Sequence, residues 1–182
     1  MIDGLIAWEI DTKFVSLAEL FSWCTRSQQV DHMLLAMRLQ PHGNKWQYAS
    51  EEAGQRLRQL FGSFIVTTFH ASAWPGTEVI GSPGLVSVIR FNESVKEILL
   101  RTQPDLQKWL HYTQPSLPED ICLFKETASH PSFVSVTHEG QAWLISQQEP
   151  GLPGVKESAD RARSLFFDGP YFCRKYQKRP RR

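Results

Sequence analysis

Three short runs between residues 120 and 146 constrain this chain most. Asp120–Lys125, Phe133–His138 and Gln141–Ser146 are rich in β-branched and aromatic residues, with turn residues between them. They read as a three-stranded antiparallel meander. If Glu139-Gly140 is a two-residue turn, Val136 pairs with Trp143 and Val134 with Ile145. If the earlier loop centres on Ser129, Cys122 pairs with Val136 and Phe124 with Val134. Paired residues share a face. One face is then Cys122, Phe124, Val134, Val136, Trp143 and Ile145, all apolar. The other is mixed, with Ser135, Thr137 and Lys125 beside Leu123, Phe133 and Leu144.

The rest of the chain supplies helices and more strands. Residues 4–10 read as a strand. Ser16 and Glu19 form a capping box ahead of Leu17, Leu20, Phe21 and Cys24, which repeat at helical spacing. Residues 30–39 fit either period. Val30, Met33, Leu34 and Met37 suit a helix, while Met33, Leu35, Met37 and Leu39 suit a strand. The turn signal Pro41-His42-Gly43-Asn44 favours a strand returning through Lys45–Ala49. Ser50 caps a helix with Ala53, Leu57, Leu60 and Phe61 on one stripe, and Gly62 stands where a terminating glycine is expected.

Residues 64–70 and 85–91 read as strands on either side of a Gly/Pro-punctuated loop, 72–84. Asn92 caps a third helix with Val95, Ile98 and Leu99 buried, stopped by Pro104. A short helix near 105–112 carries Leu106, Trp109 and Leu110. After a Pro/Gly-rich connector at 147–156, Ser158–Phe167 reads as a last helix. The expected fold is one α+β domain, residues 1–168, with a mostly antiparallel sheet and helices packed on one face. Residues 169–182 form a basic, aromatic C-terminal extension.

A length of 182 residues suits one domain, at roughly 100–200 residues each. Hydrophobic content of 41% and aromatic content of 12% fit a packed core. No apolar run is long enough to span a bilayer. No secretory signal pattern opens the chain. The three cysteines, Cys24, Cys122 and Cys173, are odd in number and widely spaced, which points to a reducing, cytoplasmic setting.

The charge is unevenly distributed. Arg174, Lys175, Lys178, Arg179, Arg181 and Arg182 crowd six cations into the last nine residues. That leaves 14 basic against 19 acidic groups in residues 1–173. Such asymmetry speaks to partners. The tail interleaves Tyr171, Phe172 and Tyr176, so cations for phosphates sit beside rings that stack on bases.

Motifs for chemistry are weak. Cys122 and His138 fall diagonally on neighbouring strands, the spacing of a thiol and its base, but Cys122 faces an apolar cluster and reads as a core thiol, as does Cys24. The six histidines, His32, His42, His70, His111, His130 and His138, show no short metal-ligand spacing. His70, with Trp74 four residues on, is the best candidate for a pocket histidine. Gly81-Ser82-Pro83-Gly84 has the wrong spacing for a nucleophile elbow, and Pro83 removes the N–H an oxyanion hole needs. No phosphate-cradling glycine loop is present. Glu51-Glu52 suits a helix N-terminus, and Glu119-Asp120 is expected to be exposed. No catalytic residue, metal or cofactor is therefore assigned.

The alternation of short helices with an antiparallel meander resembles small bacterial toxin-neutralising (immunity) proteins. The likeness lies in element order along the chain and not in a motif. It implies a non-enzymatic module that binds and neutralises a partner. An acidic body suits a basic partner. Its contact surface is expected on the 72–84 loop, with Trp74 as an exposed aromatic anchor and Glu78 beside it. The alternative is a nucleic-acid binder acting through Arg174–Arg182, in which truncation after Cys173 weakens binding and flattens its salt dependence. The oligomeric state is not legible in the sequence.

Overall fold

The computed structural model describes residues 4–42, 45–48, 51–79, 83–110, 120–158 and 174–175. In chain order these form β1 (Ile6–Ile10), α1 (Leu17–Gln28), β2 (His32–His42), β3 (Lys45–Tyr48), α2 (Glu51–Phe61), β4 (Ile65–Trp74), β5 (Thr77–Glu78) and β6 (Gly84–Arg90). Then come α3 (Glu93–Thr102), α4 (Leu106–Leu110), β7 (Ile121–Phe124), β8 (Phe133–Val136), β9 (Gln141–Ser146), β10 (Val155–Glu157) and β11 (Arg174–Lys175). All described strands join one curled sheet in the order β10-β1-β9-β8-β7-β2-β6-β4-β11, with β3 attached to β2 and β5 to β4. Every described pairing is antiparallel. The α+β expectation holds. The expected last helix at Ser158–Phe167 lies, after Ser158, outside the described residues.

Each face of the sheet carries its own apolar layer. The first joins Met33, Leu35, Ile121, Leu123, Phe133 and Leu144 to the buried sides of α1, α2, α3 and α4. The second holds Leu34, Ala36, Val86, Val88, Cys122, Phe124, Val134, Val136, Trp143 and Ile145, and no described helix contributes to it. Central strands are therefore apolar on both sides. In β2, Met33 through Met37 are all buried, which explains why this segment fits two periodicities.

Local chemistry sets the boundaries. Ser16 Oγ accepts the Glu19 N–H at 3.2 Å, and Glu19 Oε2 accepts the Ser16 N–H at 2.9 Å. The Ser16 hydroxyl also donates to Glu19 Oε2 at 2.7 Å, and that bond, with the one from the Ser16 N–H, holds the Glu19 carboxyl below its ordinary value of 4.5. The helix ends where Gln29 turns left-handed at φ 52° and its N–H reaches the Cys24 carbonyl. Asn92 caps α3 by accepting the Val95 N–H at 3.1 Å. Gly62 does not end α2 as a left-handed residue. The chain tightens into a 3₁₀ turn over Gly62–Phe64 and enters β4 directly. The proposed Ser50 cap lies outside the described residues.

The meander faces are as expected, but the register is not. Val134 pairs with Trp143 and Val136 with Gln141; Cys122 pairs with Val134. Both hairpins slip by two residues from the expected alignment. In the second, Thr137–Glu139 forms a 3₁₀ turn closed by Gly140 at φ 65°, so the connection is longer than Glu139-Gly140. A two-residue slip keeps every side chain on its face. It also moves His138 into the turn, off the strand position that set it diagonal to Cys122.

Candidate functional site

Within the 72–84 segment, the described residues 72–79 form a stapled hairpin rather than an open loop. β4 runs to Trp74, Pro75-Gly76 turn with Gly76 at φ 81°, and β5 returns with Trp74 opposite Thr77 and Ala73 opposite Glu78. Trp74 is 0% exposed, which overturns its role as a surface anchor. The physical reason lies 46 residues away. The indole Nε1–H of Trp74 donates to Asp120 Oδ2 at 2.6 Å. The Thr77 hydroxyl donates to the same oxygen at 2.8 Å, and the Thr137 N–H donates to Asp120 Oδ1 at 2.7 Å.

Asp120 is thus a hub. It ties the hairpin to the start of β7 and the end of β8. It is 2% exposed, against the expectation of a surface acid. A carboxylate can be buried when its lone pairs are taken by directed donors, and three such bonds supply that here. Its carbonyl also accepts the Ala36 N–H at 3.1 Å. Gly84 completes the staple. A Cβ built there lies 2.3 and 2.6 Å from ring atoms of Trp74, so the indole lies flush on backbone that only glycine leaves open. Glu78, by contrast, is exposed on β5. The hairpin presents its acid from a fixed base while its tryptophan serves the interior.

β11 bears on the tail. Arg174 pairs with Ala73 and Lys175 with Ala71 on the side of β4 away from β5, with a register shift between the two. The root of the basic segment is therefore a strand of the sheet. Lys178, Arg179, Arg181 and Arg182 lie outside the described residues. Comparison with protein-family models, with curated proteins and with solved structures finds no match.

Other reactive groups among the described residues have their own partners or surroundings. Burial pushes the Cys24 thiol well above its ordinary range, with Lys96 opposing weakly. His32 meets Asp31 Oδ1 at 2.8 Å through Nδ1 and stacks on Phe124 with ring centroids 5.7 Å apart. The same Asp31 oxygen accepts the Glu126 N–H at 2.7 Å. His70 is exposed on β4, whereas Trp74 is buried. A polar groove of about 410 Å³ lies beside the end of α1, lined by Trp23, Gln28, His130, Gln147, Gln148 and Glu149 among others. Its amides, hydroxyls, imidazole and carboxylate can hydrogen-bond a guest. Among the described residues no three His, Cys, Asp or Glu side chains gather to hold a metal ion. No described helix is long and apolar enough to cross a membrane.

Cys24 and Cys122 are thiols, not disulfides, and both are buried. They are expected to react with an aromatic disulfide reagent only as fast as the chain opens, on native incubation followed by mass spectrometry. Labelling of either within seconds would place a reactive, accessible thiol in the folded protein.

Proposed function

We propose that this protein is a non-enzymatic binding module of immunity or inhibitor type that works in the cytoplasm and takes a basic protein partner. The observation that carries the reading is the hairpin: Asp120 braces β4 and β5 through Trp74 and Thr77, and Glu78 is exposed on β5. A preorganised acidic contact binds at little ordering cost. The surplus of acids in residues 1–173 steers a cationic partner towards it. Trp74 acts from inside, as the brace of that contact. Unbridged Cys24 and Cys122 support the cytoplasmic setting.

The test is a calorimetric titration of the full chain with the product of the adjacent gene. Saturable binding, weakened about tenfold or more by Glu78→Lys, is expected. No binding, or binding indifferent to Glu78→Lys, rejects the reading.

A second reading, a nucleic-acid binder, is favoured by one observation: β11 roots the basic tail in the sheet. Cutting after Cys173 would also remove β11, so the cut belongs after Lys175. The reading requires that cut to lower the salt slope for a short DNA duplex by about 0.9 for each phosphate that the tail had neutralised. An unchanged slope and affinity removes the tail from nucleic-acid recognition.

A further inference from the structure

Ala73 stands at a crossing. On one side it pairs with Glu78 of β5, and on the other with Arg174 of β11. Paired residues share a face, so Glu78, Ala73 and Arg174 form one row across three strands. The two charged residues are two strand spacings apart, roughly 10 Å. Lys175 follows opposite Ala71. The acid assigned to a basic partner and the first basic residues of the chain's own tail therefore hold register positions on either side of Ala73.

The pairing itself is slight. β11 is two residues long, and its register slips between them. Both residues it pairs with are alanines, each 0% exposed. Small side chains there leave recognition to main-chain hydrogen bonds and to the charges in the row. This edge of β4 is seen holding an antiparallel, cationic strand, and the rest of the body is acidic.

We propose that β11 is a stand-in, held in cis, for a basic extended segment of the partner, which binds by adding a strand to β4 at Ala71–Ala73 once β11 has left. This rests on the protein-binding reading above and specifies its mode, β-strand addition. Main-chain bonds set the register, and Glu78 sets the sign of charge the edge accepts. A tethered strand acts at an effective concentration of order 1 mM. Against a free segment binding at about 100 μM, that tether masks the site about tenfold.

The experiment uses a fluorescent peptide of residues 174–182, Arg-Lys-Tyr-Gln-Lys-Arg-Pro-Arg-Arg, read by anisotropy. The full chain is compared with Arg174→Glu/Lys175→Glu, and that variant with the same chain also carrying Glu78→Lys. The double variant is expected to bind the peptide about tenfold tighter than the full chain, and Glu78→Lys to undo most of the gain. A folded double variant that binds no tighter overturns the proposal. So does a peptide N-methylated along its backbone, and thus unable to add a strand, that binds equally well. If the double variant does not fold, amide NMR of the unaltered chain decides: the Ala71 and Ala73 resonances must shift on adding peptide at about millimolar concentration, and unmoved resonances overturn the proposal. Peptide binding without binding of the adjacent gene product keeps the strand site and rejects the partner. The converse keeps the partner and rejects the strand site.

Discussion

Asp120→Ala lowers stability by about 3–5 kcal/mol, measured by urea unfolding with an unchanged m-value. The substitution strands three buried donors at once: the Trp74 indole N–H, the Thr77 hydroxyl and the Thr137 amide. Each unsatisfied buried donor costs about 1–3 kcal/mol, and relaxation of the hairpin recovers part of the sum. Such a loss is a large share of the roughly 5–15 kcal/mol that holds a domain together. Asp120→Asn is expected to cost less, about 2 kcal/mol, because one oxygen still accepts while the new amide faces a donor. A near-neutral Asp120→Ala would mean that the hub is incidental and that the hairpin stands by packing alone.

Gly84→Ala costs about 2–4 kcal/mol by the same measurement, the upper range for overpacking. The new methyl meets Trp74 ring atoms at 2.3 and 2.6 Å and the Met37 carbonyl oxygen at 3.3 Å. The indole cannot swing away without breaking its bond to Asp120. A double-mutant cycle makes the claim specific. In a Trp74→Leu background, Gly84→Ala is expected to lose at least about half its cost, because the atoms it strikes are gone. Equal costs in both backgrounds would show that strain in the β6 backbone, not the ring, sets the penalty.

The contrast between faces and partners explains what can be read from the sequence. Cys122, Phe124, Val134, Val136, Trp143 and Ile145 do share one layer, because alternation along a strand is a local property. The register escapes by two residues because alternation is blind to even slips, and only the geometry of Thr137–Gly140 decides between them. The Asn92 and Ser16 caps are legible from residues three positions apart. Asp120 is not. An acid at the head of an apolar strand hints at burial, but its donors come from Trp74 and Thr77, more than 40 residues earlier. Trp74 is misplaced for the same reason. Followed directly by Pro75-Gly76, it has the setting of a surface loop, and nothing nearby in sequence shows where its N–H goes. Glu78 lies at the surface as expected, while the strand pairing of Arg174 and Lys175 carries no sequence signal, since two cations have no β pattern.

The sheet is shared property. Strand β2 sends Met33 and Leu35 into one apolar layer and Leu34 and Ala36 into the other. Neither half of the molecule can loosen without the strand that serves both. Damage at the hairpin brace is therefore handed on to the helices on the far side. Most harmful substitutions in this shared sheet are therefore expected to act by thinning the folded population rather than by a local change alone.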